Sequence, residues 1–396
     1  MRVTQIFTRA ALAAGLLAAG LAQAQDIKLG FNGDISASPS AQSGAAGVIG
    51  IRAAIDDINA AGGVLGRKLT LVVRDDQSQP PKSIQNMSDL IDNEKVVAVF
   101  GPTNSGNALA WKHIPNQKKV VSMGMIGSGS AITHPMSPGA ENYMFRVSMV
   151  DREQVAGLVA YAKKSGTTKI GLMGETTGYG QGGLKDLEEI AKMHGMTPLA
   201  TEKFGVGDTD MTSQLNKMKA AGVDTILVWA QGTPTGQLVR SMEKINYFPM
   251  MLSSWAADNI TFFDAAGRNL ASKPIFMRTM VNPTTPAQQK LYDRTVSQLA
   301  APSAFPFVIH GYDAVQLVAA AIRQAGSTDG PKVREALENL NTPVQGVKKT
   351  YNKPFSKDQR EALTAADLAF VKWEGDKLVQ HNDAVIRSLT AGDFKR

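Results

Sequence analysis

The chain has 396 residues, with 42 Lys and Arg against 35 Asp and Glu, no Cys, 43% hydrophobic and 19% charged residues, and at roughly 150 residues per domain this length predicts about two domains. A low charged fraction beside ordinary apolar content excludes a disordered tail, a collagen and a coiled coil. The absence of Cys excludes a disulfide framework, Cys-zinc sites, thiol catalysis and a lipid-bearing N-terminal Cys.

The opening residues read as a secretory leader over 1–24: Arg2 and Arg9, an apolar run from Ala10 to Leu21, and Ala22-Gln23-Ala24 as a cleavage site before Gln25. That run is only about 12 residues where a membrane span needs about 20, and no later segment is expected to be long enough. Cleavage lowers the net charge from +7 to +5, with Lys and Arg scattered, which points away from nucleic acid and from a membrane-embedded chain. Strand-like runs follow at Asp26–Phe31, Lys68–Asp75, Val96–Gly101, Lys119–Gly124, Lys169–Gly174, Asp224–Ala230 and Pro274–Arg278. Helical periodicity lies between them, as in Ile51, Ala54, Ile55 and Ile58 before Gly62-Gly63, or Val155, Leu158, Val159 and Ala162 before Gly166. Such alternation predicts parallel sheets, and two successive runs meeting between Met144 and Ser148 suggest two similar lobes.

Ligands of open α/β sheets bind at the carboxyl ends of strands. Four Gly- or Ser-rich turns stand there: Phe100–Gly106, Gly124–Ser130, Gly174–Gly183 and Trp229–Thr233. The five His, at 113, 134, 194, 310 and 381, lack zinc-ligand spacing and read as surface or helix-end residues. Ser105 and Ser128 lack the flanking glycines of a hydrolase elbow. Gly178, Gly180 and Gly183 match G-x-G-x-x-G, with Glu202 at about the distance of a ribose-binding acid, so a dinucleotide reading stands beside the others. Against it, Glu175-Thr176-Thr177 separates strand from glycines and Tyr179 puts bulk where a pyrophosphate needs the backbone. A simpler chemistry fits the same turns. Ser105 near a helix start, with the unpaired first-turn amides, forms a small anion site suited to a carboxylate, and Ser128 and Ser130 add neutral donors; each serine alone could equally be a helix cap.

A family resemblance is carried by Ile27-Lys28-Leu29-Gly30, the run from Ile58 to Leu69 containing Gly62-Gly63, Asp75-Asp76, Gly101-Pro102, Phe145-Arg146, Gly178-Tyr179-Gly180 and Gly311-Tyr312-Asp313-Ala314. On these residues the chain resembles a periplasmic solute-binding protein of the branched-chain amino acid type, serving an ABC transporter. The resemblance implies an α/β fold of two Rossmann-like lobes, with parallel sheets flanked by helices and joined by three hinge crossovers, the type I periplasmic binding arrangement. The lobes would comprise 25–145 plus 279–346 and 146–278 plus 347–396, with crossovers near Phe145–Ser148, Met277–Val281 and Gln345–Thr350. It further implies a periplasmic monomer without enzyme activity or cofactor, whose partners are a small-molecule ligand and the membrane permease subunits; a sensory receptor would use the same fold.

By position in the family, Ser105 and Ser128 match residues that hold a ligand carboxylate, Ile126 offers a backbone contact and Tyr179 covers the ligand from the second lobe. Gln231 and Trp255 stand where amino acid-binding relatives place a Tyr and an acid for the ammonium group. With Met123 and Met125 nearby, that exchange favours an apolar or aromatic body bearing one carboxylate. Glu175, Asp258 and Asp34 are other possible sources of an acid, so branched-chain amino acids and amine-free organic acids both stay open.

Overall fold

The computed structural model describes residues 25–396; the leader read over 1–24 lies outside the described residues. A first sheet is built from β1 (Ile27–Gly33), β2 (Leu69–Asp75), β3 (Ala98–Phe100), β4 (Val121–Gly124) and β5 (Met144–Arg146), in the order β2-β1-β3-β4-β5 with every pairing parallel. A second sheet is built on β6 (Ile170–Glu175), β7 (Ala200–Phe204), β8 (Thr225–Trp229), β9 (Met250–Ser253) and β10 (Pro274–Arg278). After a small hairpin of β11 (Val344–Gln345) and β12 (Thr350–Tyr351), the chain returns to that second sheet as β13 (Ala369–Glu374) and β14 (Lys377–Gln380). These last two strands pair antiparallel, against the expectation of purely parallel sheets. A two-residue link at Gly375-Asp376 permits only antiparallel neighbours, whereas a parallel pair needs a long crossover.

The helices cover both sheets. In the first half of the chain they are α1 (Ala41–Ala60), α2 (Pro80–Asp92), α3 (Ser105–Trp111) and α4 (His113–Lys118); in the second, α5 (Asp151–Lys164), α6 (Gly178–Met193), α7 (Thr212–Ala220), α8 (Gly232–Lys244) and α9 (Ile260–Ala266). The chain then gives α10 (Pro286–Thr295), α11 (Phe305–Ala325) and α12 (Gly330–Glu338) back to the first lobe. The segment Pro302–Ala325 corrects the expectation that nothing past the leader is long enough to span a membrane, since it passes on length and hydropathy. Its apolar surface is spent inside the protein: 83% of its most apolar window is buried. Gly311 comes so close to α1 that a β-carbon there would stand 2.2 Å from the Gly47 carbonyl oxygen. Burying Val308, Val315, Leu317, Val318 and Ile322 on this helix contributes roughly 1.5–3 kcal/mol per side chain.

The family motifs prove to be joints. Asn59 clamps the start of β2, donating to the Leu69 carbonyl (2.9 Å) and accepting from the Leu69 amide (2.8 Å). Asp75 accepts from the Ile35 amide and the Ser36 hydroxyl, and Asp76 from Ser83 and Asn107, so the pair ties the loops after β1 and β2 together. Asp313 accepts from the amides of Val347 and Lys348 and from the Tyr351 hydroxyl, pinning the β11–β12 hairpin to α11.

Three segments pass between the sheets. The first lies between Arg146 at the end of β5 and α5; the second follows Arg278 at the end of β10. The third differs from the reading at Gln345–Thr350. That stretch closes the hairpin, and Arg360–Ala362 still runs beside β5, where the Arg146 amide donates to the Arg360 carbonyl and the Ala362 amide to the Arg146 carbonyl, both at 2.9 Å. The chain reaches the second sheet only at Ala369, so passage occurs over 363–368. Short strands and a hairpin alternate there without periodicity, so sequence offers little to fix the point of crossing.

Candidate functional site

The carboxyl ends of β1, β3 and β4 face those of β6, β8 and β9 across a cleft, and the loops leaving them meet around one small cavity of about 40 Å³, room for a few waters while the lobes are closed and for a larger ligand only as they part. All six residues singled out in the sequence line it: Ser105, Ile126 and Ser128 from the first lobe, Tyr179, Gln231 and Trp255 from the second.

On the first-lobe wall, Ser105 begins α3, and its Oγ accepts the Gly129 amide at 3.0 Å, which leaves its own hydroxyl hydrogen to donate. The loop carrying Ile126 and Ser128 is gripped from below by Arg146, whose guanidinium donates to the carbonyls of Gly127 (3.0 Å) and Gly129 (3.1 Å) and to Thr133. The same guanidinium holds Glu361 in a two-pronged pair at 2.7 and 2.8 Å. Arg146 is fully buried, so this network fixes the backbone on either side of Ser128. Ser128 Oγ itself is buried without a partner among the described residues. Ser130 is not in the cavity; it donates to Asp186 on α6 at 2.6 Å and ties the lobes together outside it. Met123 and Met125 are fully buried in the core and do not line the cavity.

On the second-lobe wall, Trp255 opens a 3-10 turn after β9, with its amide donating to the Gln154 side chain at 2.9 Å. Its ring meets that of Phe307 at a tilt of 58°, 5.1 Å between centroids, and lies 6.2 Å from the ring of His310. His310 corrects the surface reading. It is fully buried on α11 beside Thr279 (2.9 Å), and burial pushes its pKa down to about 3, so it is a neutral group packed behind Trp255 and Phe307, outside the cavity lining. Gln231 donates its amide and side chain to Glu175 (2.9 and 3.2 Å), while its Oε1 accepts from Ser40 of the first lobe at 3.0 Å. Asn259 reaches Ser43 and Thr261 reaches the Pro39 carbonyl, so the lobes stand closed on each other.

Of the acids considered from sequence, Asp34 is spent on its own turn, accepting from the amides of Ser36, Ala37 and Ser38. Glu175 is engaged by Gln231 and Thr177. Asp258 does line the cavity, but Arg278 pairs with it at 3.1 Å in an environment where both are buried; burial holds the Asp258 carboxyl up at about 6. A further acid was missed. Asp151 starts α5 directly behind Ser128, its amide donating to the Ser128 carbonyl at 2.8 Å. One carboxylate oxygen accepts from Gln154 at 3.2 Å and the other has no partner among the described residues. Burial raises its pKa to about 7, an effect that Ser128, Arg146 and Trp229 only partly oppose. The buried Tyr179 hydroxyl, near the same group, is also without a partner.

The glycine motif resolves into packing. A β-carbon at Gly183 would stand 1.9 Å from the Trp229 ring, one at Gly180 2.1 Å from the Glu175 carbonyl oxygen, and one at Gly178 2.9 Å from the Gly106 α-carbon across the cleft. The glycines are therefore filled by the protein's own atoms, where a pyrophosphate would need open backbone, and the dinucleotide reading falls. Glu202 instead pairs with Lys217 at 2.9 Å.

The lining also takes Thr103, Asn104 and Gly127 from turns marked in the sequence, together with Asp258, and Ser40, Ser43, Ala256, Asn259 and Phe307, which were not read from it. The rule that ligands gather at strand ends reaches Ser40 and Ser43, which follow β1. Phe307 arrives on a distant helix and carries no local signal.

Residues 26–377 match the profile of a family described as periplasmic binding protein, and the chain belongs to it. The leucine-, isoleucine-, valine-, threonine- and alanine-binding protein of Pseudomonas aeruginosa is 27% identical over 95% of this chain and 96% of its own. Among solved structures, a periplasmic binding protein type 1 from Bordetella pertussis superposes with TM-score 0.79 at 24% identity, covering 90% of this chain and 99% of that one. An ABC transporter solute-binding protein of R. palustris in complex with 4-hydroxybenzoate gives 0.72 at 19%, covering 90% and 96%. The type I periplasmic binding fold of two α/β lobes is thus established.

Proposed function

We propose that this chain is the periplasmic substrate-binding component of an ABC uptake transporter, enclosing a small hydrophobic carboxylate between its lobes and delivering it to the membrane permease. One observation carries the reading: unspent neutral donors at Ser105 and Ser128 face the aromatic wall of Trp255, Phe307 and Tyr179 in a single cavity between the lobes. Hydroxyls and amides suit a carboxylate in a site that excludes water, where each polar contact is strengthened.

The ligand favoured is an amine-free acid with an aromatic or branched apolar body, because the one carboxylate on the cavity wall, Asp258, is already neutralised by Arg278. The 4-hydroxybenzoate complex of the R. palustris neighbour is in keeping with this. A second reading, a branched-chain amino acid, is favoured by the free oxygen of Asp151 behind Ser128 and by the name of the Pseudomonas relative.

Thermal-shift titration of ligand-stripped, refolded protein tests both, since a ligand that binds only the folded state raises its melting point. Benzoate, 4-hydroxybenzoate and phenylacetate are expected to stabilise it, and leucine, isoleucine and valine not. Stabilisation by the amino acids instead would transfer the ammonium role to Asp151. Calorimetry at pH 7 in buffers of different ionisation enthalpy checks that role, because an ammonium beside Asp151 releases its proton. No stabilisation by either set would sink the proposed ligand class.

A further inference from the structure

A second cavity, about 490 Å³, lies behind the Asp258–Arg278 pair, where the segment leaving β10 crosses between the lobes. Arg278 is its floor. That side chain is 2% exposed, donates Nε to Asp258 at 3.1 Å and Nη2 to the Ser303 carbonyl at 2.5 Å, and makes no hydrogen bond through Nη1 among the described residues. The walls come from both lobes: Tyr292 and Phe305 on one side, Trp373 and Leu378 of the β13–β14 hairpin on the other, with Met280 of the crossing segment between them. Tyr292 and Phe305 meet edge to face at 5.0 Å, and Trp373 is locked by its Nε1 donating to the Ala257 carbonyl at 2.8 Å. At the rim Lys377 has no partner among the described residues, while Asp376 stands 4.0 Å from Arg268.

Concave sites lined by aromatic and apolar side chains, with a few convergent charged donors, are the usual form of a small-molecule site. The donors here are cationic, one of them a buried guanidinium with hydrogen-bonding capacity to spare, which suits a carboxylate or sulfonate. We propose that this cavity is a second ligand site, distinct from the interlobe cleft, for an amphipathic organic anion whose anionic group meets Arg278 at the floor, whose apolar body lies between Tyr292 and Trp373, and whose charge is attracted at the rim by Lys377. The proposal stands independently of which ligand fills the cleft.

Its position gives it a consequence. Asp258 faces the cleft and Arg278 faces the second cavity, so one ion pair forms the wall between them. An anion that draws on Arg278 changes what Asp258 presents to the cleft, and by linkage a cleft ligand changes the affinity of the anion by the same factor. The walls also span both lobes, so occupancy biases their relative position.

The test uses the purified protein and 1-anilinonaphthalene-8-sulfonate, an aromatic body with one anionic group, followed by fluorescence and calorimetry. One equivalent is expected to bind. Leu378→Trp, which fills the cavity, should weaken binding about tenfold or more, and Lys377→Glu, on an exposed side chain that leaves the fold intact, severalfold. Ser105→Ala, in the cleft, should leave probe affinity unchanged. Absence of binding to the wild type, equal binding by Leu378→Trp and Lys377→Glu, or loss of binding in Ser105→Ala would each overturn the assignment, the last by placing the probe in the cleft.

Discussion

The first-lobe wall of the cleft presents main chain and small hydroxyls, held from behind by Arg146 and Glu361, whereas the second-lobe wall presents Tyr179, Gln231 and Trp255, with Gln231 fixed by Glu175 and Trp255 by Gln154. On the proposed reading, the first arrangement would take an anionic head by geometry suited to any carboxylate, and the second would meet the body of the ligand with large side chains. Replacing those side chains would then change the shape offered to the body without disturbing the head group.

Breaking the support of the first wall should have the largest effect. Glu361→Ala leaves the Arg146 guanidinium buried without its carboxylate, and removal of one partner of a buried pair costs about 3–5 kcal/mol. A lowered midpoint in urea, together with lost ligand affinity, checks it. Next, Ser105→Ala removes a donor to the ligand and orphans the Gly129 amide; a hydrogen bond to a charged group contributes roughly 1.5–3 kcal/mol, so calorimetry should show affinity at least about tenfold weaker. Unchanged affinity would remove Ser105 from the site.

The acid behind that wall predicts a pH dependence. Asp151 titrates near 7 in the folded protein against an ordinary value of 3.8. The folded state then holds more protons than the unfolded one between these values, so this group's contribution to stability is full below about pH 4, falls as pH rises to about 7 and is flat above. Asp151→Asn should remove about one proton from the slope of unfolding free energy against pH over that window. An unaltered slope would show that Asp151 is ionised in the fold. Smallest is Ser40→Ala, which removes the contact to Gln231 across the cleft. A neutral hydrogen bond contributes about 0.5–1.5 kcal/mol, so affinity should fall only severalfold and the off-rate should rise.

The same contrast explains what could be read from the sequence. Strands such as Ala98–Phe100 and Thr225–Trp229 are short apolar runs buried on both faces, and turns of Gly and Ser mark where they end. Those signals are local, and they brought Ser105, Ser128, Tyr179 and Gln231 to one place. β7 was missed because this edge strand, Ala200-Thr201-Glu202-Lys203-Phe204, has three polar residues in its middle and no apolar run, and β5 because Met144-Phe145 ends at once in Arg146. Phe307 reaches the site from a helix far along the chain from Ser105 and Ser128, and Asp151 from the start of the helix behind Ser128, both through tertiary packing that no local signal marks. His310 was misread because a lone polar residue in an apolar helix does not say which face it takes, and here it lies on the face of α11 turned to the core.

At the lips of the cleft, Gly106 and Gly178 meet with no side chain on either. Opening there separates bare backbone, with no interlocked side chains to withdraw, so the lips themselves set no barrier to exchange. The residence time of a ligand is then governed by what it touches inside and by the contacts that join the lobes around it, Ser40 to Gln231, Ser43 to Asn259, Pro39 to Thr261 and Ser130 to Asp186.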